Sequence, residues 1–138
     1  MDLNYAEIIV ASLAQFAFGA VWYTPVFGRL WGKIHGFDKV SKVEQRKMMK
    51  SMGPFLALQL VVTIVTTVVL STLLQNYSGD VSAYGLAALL WLGFIVPTQV
   101  SAVVFGGTEP KWMVTKILIM AGGALGCIMI AAAVLQAM

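Results

Sequence analysis

The chain has 138 residues, of which 59% are hydrophobic and only 11% charged, with a mean hydropathy of +0.86. That composition lies outside the range of soluble globular domains. The net charge of +3 does not point to a nucleic-acid partner, because nearly all the excess sits in one loop between apolar stretches, where membrane topology accounts for it.

Four apolar stretches, 8–26, 54–74, 84–105 and 117–138, each run about the 20 residues that a helix needs to cross a bilayer. Each is continuously apolar, whereas barrel strands alternate apolar and polar residues. The sequence therefore predicts an all-α polytopic membrane protein, its four transmembrane helices arranged as two hairpins in a single domain over residues 1–138.

Asp2 and Glu7 precede the first stretch, which lacks a basic leader, so it is expected to remain as a helix rather than be cleaved as a signal. Within it Glu7, Ala11, Gln15, Gly19 and Tyr23 follow one another at i+4, a ridge of small and polar groups on a greasy helix. Glu7 reads as a solvated carboxylate in the first turn, favoured by the helix dipole, or alternatively as part of an outer vestibule. Where the span leaves the membrane, Trp22, Tyr23, Pro25, Phe27, Gly28 and Trp31 form an interfacial motif. Aromatic rings prefer the headgroup level, and Pro25 and Gly28 end the helix.

The loop 27–53 carries Arg29, Lys33, Lys39, Lys42, Arg46, Lys47 and Lys50, seven of the nine basic residues. Lys111 and Lys116 lie between spans three and four, and residues 75–82 include no Lys or Arg. The positive-inside rule then puts loop 27–53 in the cytoplasm and both termini outside. Ser41 and Glu44 have capping-box spacing, and Val43, Met48, Met49 and Met52 supply an apolar side. A short basic interfacial helix lying on anionic lipid is expected there, leading into span two.

Gln59, Thr63, Thr66 and Thr67 make a polar face on span two. In span three Pro97 removes a backbone donor and presses on the carbonyl of Gly93, which predicts a kink between them; Gln99 and Ser101 follow. Gly122 and Gly126 in span four form a small-xxx-small pair, with Gly123, Cys127 and Ala131 beside it. These are packing surfaces first, in which Gln and Thr hydrogen-bond between helices and glycines, Gly19 among them, permit close approach. The functional alternative is that Gln15, Gln59 and Gln99, with Thr63 and Glu7, line a polar path for a neutral or zwitterionic solute.

Spans one and three both lead into Val-Phe-Gly, then a basic residue and a Trp, which raises a parallel repeat of two hairpins with spans one and three equivalent. Cys127 is the lone cysteine and His35 the lone histidine, and no metal-ligand spacing is present. No nucleophile triad, phosphate-cradling Gly loop or pair of buried carboxylates occurs either, so neither catalytic residues nor a metal or cofactor is expected. An enzyme is the class with least support.

Three segments, Trp22-Tyr23-x-Pro25-x-Phe27-Gly28-x-x-Trp31, Trp91-Leu-Gly93-Phe-x-x-Pro97-Thr98 and the loop from Phe105-Gly106 to Trp112, occur in that order. Together they resemble a bacterial family of small four-span integral membrane proteins catalogued as a domain of unknown function. The resemblance covers nearly the whole chain and implies a four-helix fold in a bacterial cytoplasmic membrane, with no activity, cofactor or catalytic residue to carry across. Two readings of function follow. The preferred one is a small homo-oligomeric carrier or pore for a neutral or zwitterionic solute, its copies joined through the Gly122/Gly126 face. The other is a non-transporting scaffold or accessory subunit that binds lipid or a partner protein.

Overall fold

The structure, a computed structural model, describes residues 2–138. Its helices are α1 (Tyr5–Val21), α2 (Gly28–Ile34), α3 (Lys42–Lys50), α4 (Gly53–Asn76), α5 (Ala83–Leu90), α6 (Val96–Phe105) and α7 (Met113–Ala137). A π turn over Trp22–Val26 extends α1, another over Trp91–Ile95 joins α5 to α6, and a 3-10 turn, Pro110–Trp112, leads into α7. Four continuous helical segments are thus long and apolar enough to cross a membrane: Tyr5–Val26, Gly53–Asn76, Ala83–Phe105 and Pro110–Ala137. The protein is an all-helical, multi-pass membrane protein.

Local chemistry sets the helix ends. Asn4 caps α1, its Oδ1 accepting the N–H of Ala6 at 3.2 Å and of Glu7 at 3.4 Å, while its Nδ2 donates to the Glu7 carboxylate at 2.7 Å. Span four starts before the apolar run that begins at 117, so Lys116 lies within α7 and not in the preceding loop. Helical hydrogen bonding need not stop where hydropathy does, and a lysine can lay its stem along apolar surface while its ammonium reaches headgroup level.

The two π turns have prolines at or just after them. Pro25 lies inside the first, where Phe27 N–H donates to the Trp22 carbonyl at 3.0 Å across the wide turn. Pro97 follows the second, in which Val96 N–H donates back to Trp91. A proline removes one i→i−4 donor and crowds the carbonyl four residues back, and a widened turn relieves both effects. Where the sequence predicts a kink between Gly93 and Pro97, the structure has a π turn that begins two residues earlier, at Trp91.

α7 is the central helix: it packs most extensively on α1, then on α5 and α6, while α4 packs mainly on α1. Leu70, Ala87, Ile128, Ala131 and Ala132 form the buried core where spans two, three and four meet. Phe55, Leu58, Val61, Val65, Phe94 and Leu118 point outward, the apolar surface that lipid requires. This layout does not support the two-hairpin repeat. A two-fold axis would make span two pack on span three as span four packs on span one, and among the described residues spans two and three make no packing of comparable extent.

The basic loop forms α3, capped by Ser41, whose Oγ accepts the N–H of Glu44 at 3.3 Å. α3 makes no sizeable packing contact with a span and is tethered through Gln45, whose Nε2 donates to the carbonyls of Phe37 at 2.9 Å and Val40 at 3.4 Å. Met48 and Met49 lie near the end of α3 and Met52 follows beyond it, but Val43 does not belong with them. At 3.6 residues per turn it lies roughly a third of a turn or more from Met48 and Met49, among Lys47, Lys50 and Arg46. Ser41→Ala is expected to weaken α3 by about 1 kcal/mol. Amide exchange over Lys42–Lys50 should quicken with the spans unchanged; equal exchange in both proteins would mean that something other than the cap holds this helix.

Candidate functional site

A polar layer crosses the middle of the bundle between α1 and α4. Thr67 is fully buried, and its Oγ1 accepts from Gln15 Nε2 at 2.7 Å and from Ser12 Oγ at 3.2 Å while donating to the Thr63 carbonyl at 2.7 Å. Gln15 Nε2 also donates to the Ala11 carbonyl at 3.1 Å, and Cys127 Sγ lies 3.7 Å from the Gln15 carbonyl on the α7 side. Every hydroxyl and amide donor named here is spent on a neighbour, as buried polar groups in a bilayer require.

Below that layer the aromatic motif closes on α7. Trp22 stacks on Phe18 with centroids 5.6 Å apart and tilts against Phe27 at 4.7 Å, and its indole N–H donates to the Ile119 carbonyl at 2.9 Å. Trp91, at the start of the other π turn, donates in the same manner to Ala121 at 2.8 Å. Gln99 Nε2 reaches the Met120 carbonyl between them at 3.4 Å, with its buried Oε1 unpartnered among the described residues. Two tryptophans and a glutamine thus grip three consecutive carbonyls of α7.

The rings fit because α7 has no side chains in their way. A Cβ on Gly122 would sit 3.0 Å from the Trp22 ring, one on Gly123 would sit 2.9 Å from it, and one on Gly126 would overlap the Phe18 ring. Within the chain the small-residue face is therefore filled by span one. Gly19 differs: a Cβ there meets nothing within 4 Å, so it is not a close-packing position.

Tyr23 meets Trp31 edge-on at 4.9 Å, and Trp31 in turn tilts against His35 at 4.5 Å. His35 Nδ1–H donates to the Trp31 carbonyl at 2.8 Å, the only role that a carbonyl partner permits. Gly28 is needed for the close return of the chain, since a Cβ there would lie 3.1 Å from the Tyr23 carbonyl oxygen. The Lys116 ammonium lies 5.8 Å from the centroid of the Trp31 ring and 3.5 Å from Thr108 Oγ1.

Of these groups His35, Thr108 and Lys116 line a cleft of about 300 Å³ at the loop end of spans one, three and four, together with Ile34, Gly36, Gly106, Gly107 and Glu109. Gly36 and Gly107 turn the chain there with φ of 71° and 76°, a conformation that glycine adopts without steric cost. Glu109 is ion-paired with Lys111 at 3.4 Å on the exposed rim. A smaller cleft of about 180 Å³ lies at the opposite end, lined by Glu7, Ser71, Leu74, Gln75, Leu135 and Gln136.

The glutamines expected to converge lie apart. Gln15 is held by Thr67 on α4, Gln99 by Met120 on α7, and Gln59 is exposed on the outer surface of α4. Thr63 returns its hydroxyl to the Gln59 carbonyl at 2.8 Å, and Glu7 belongs to the far cleft. Sequence reasoning singled out neither Lys116 nor Thr108, and it weighed His35 only as a metal ligand. The available signal was a pair of glycine turns, Gly36 after Trp31 and Gly106-Gly107 before Trp112.

Among the described residues no group of three or more His, Cys, Asp or Glu is placed to hold a metal. Neither a curated protein nor a solved structure matches the chain. The family described as "Protein of unknown function (DUF1761)" matches residues 6–136, with the aromatic motif, both π turns and the cleft inside the match, and the chain belongs to that family.

Proposed function

We propose that the protein is a non-transporting scaffold or accessory subunit of a bacterial cytoplasmic membrane, which holds lipid or a partner protein at the end of its bundle that bears the cleft of His35, Thr108 and Lys116. The distribution of Lys and Arg supports placing that end in the cytoplasm, with both termini outside. The observation that carries the reading is the closed middle of the bundle. The two clefts lie at opposite ends, and between them Ser12, Gln15 and Thr67 are packed and hydrogen-bonded to one another.

A carrier or pore for a neutral or zwitterionic solute needs Gln15, Gln59 and Gln99 on one passage, and within a chain they occupy separate faces. A homo-oligomer would use the exposed side of α4, where Gln59 lies among outward-facing Phe55, Leu56 and Leu58, because span one already covers Gly122 and Gly126. In liposomes the protein is expected to pass glycerol, glycine and betaine no faster than protein-free vesicles do. Saturable flux that disappears in a folded Gln15→Leu variant would overturn this function and reinstate the carrier.

A further inference from the structure

We infer that the cleft between α2, the α6–α7 turn and the start of α7 binds the phosphate of a phospholipid headgroup, with Lys116 as the cation that meets it. The inference rests on the reading of this end as the binding face and names its ligand.

The charge balance of the cleft is the first argument. Lys116 is half-buried, yet among the described residues its ammonium has only the Thr108 hydroxyl at 3.5 Å and the Trp31 ring at 5.8 Å. An ammonium offers three N–H donors and is strongest against an anionic oxygen. Among the described residues no carboxylate comes within 4.0 Å of it, and the nearby acid, Glu109, is matched by Lys111 at 3.4 Å. A phosphate supplies both the missing counter-charge and the missing acceptors, and the Thr108 hydroxyl is placed to donate to it as well.

Shape and position supply the rest. A cleft of about 300 Å³ is at the small end of ligand sites, which fits a headgroup phosphate. Gly106 and Gly107 leave that wall without side chains. Phe105, next in sequence to Gly106, is 88% exposed, an apolar surface for the glycerol and upper acyl segments that a free phosphate lacks. The cleft opens at the end of three spans, at the depth where headgroups lie.

The test is an amide-shift titration of the full-length protein in uncharged detergent micelles, following Gly106, Gly107 and Thr108. Short-chain phosphatidylglycerol is expected to produce a saturable shift, and diacylglycerol of equal chain length none. Lys116→Gln should weaken the response by about tenfold or more, whereas Lys116→Arg, which keeps the charge, should preserve it. Equal binding by wild type and Lys116→Gln, or an equal response to diacylglycerol, would overturn the site. Inorganic phosphate saturating at the same concentration as the lipid would overturn the lipid source in favour of a soluble phosphate ligand. Flux in liposomes with this titration intact would sink the scaffold reading alone; absence of both flux and titration would sink the phosphate site alone.

Discussion

Gly126→Leu is expected to lower the stability of the folded bundle by about 3 kcal/mol, the upper part of the usual range for overpacking a close helix contact. The reason is the position of Phe18. A single carbon added at residue 126 already overlaps that ring, which is stacked on Trp22 and so has little room to withdraw. Leucine at residue 19 makes the control, because Gly19, though equally small and equally within a span, faces open space. Gly19→Leu should leave the unfolding midpoint in dodecyl sulfate mixed micelles nearly unchanged, while Gly126→Leu should shift it strongly. Adding Phe18→Ala to Gly126→Leu should recover part of the loss, since residues in direct contact are not additive. Equal shifts for the two leucine variants would mean that span one does not occupy the glycine face as described.

The same pair of glycines shows what the sequence could and could not convey. Span number and approximate length were legible, because a bilayer forces continuous apolar runs of about 20 residues and each of the four was present. Which side of each helix faces protein was not. In water the buried face is the apolar one, but in lipid both faces are apolar, so periodicity loses its meaning and small or polar residues become the only guide. That guide is ambiguous. Thr66 and Thr67 are adjacent and chemically alike, yet Thr67 is buried against Gln15 and Ser12 whereas Thr66 is exposed and returns its hydroxyl to the Val62 carbonyl at 3.0 Å. A threonine that can satisfy itself on its own helix costs little wherever it points. Gln59 and Gln15 diverge for a related reason, since the partner that distinguishes them lies more than fifty residues away for Gln15. The cleft was less legible still. It is built from turns at 34–36 and 106–109 and a lysine at 116, and only the packing of α7 against α1 and α6 brings them together.

Trp22→Ala is expected to be the most damaging single truncation in the aromatic motif, with a loss of about 3–5 kcal/mol, the usual cost of removing a large packed ring. Three kinds of contact end together. The stacking on Phe18 and the tilted contact with Phe27 are lost, the surface that covers Gly122 and Gly123 disappears, and the Ile119 carbonyl loses its indole donor. Trp22→Phe separates these effects, because phenylalanine keeps most of the ring packing and removes the N–H. Its loss should be about 1 kcal/mol, the ordinary worth of one interhelical hydrogen bond in a membrane. The Ile119 carbonyl keeps its place within α7, so no backbone group is stranded by the change. Trp91→Phe should behave like Trp22→Phe, since Trp91 grips Ala121 in the same way two residues further along α7. Combining Trp22→Phe with Trp91→Phe addresses the grip as a unit. If the two indoles act independently, the losses add; if together they set the depth of α7 against both odd spans, the double variant loses more than the sum. Measured in the same mixed micelles, a Trp22→Ala variant no weaker than Trp22→Phe would remove ring packing from this account and leave the hydrogen bonds to hold α7 in place.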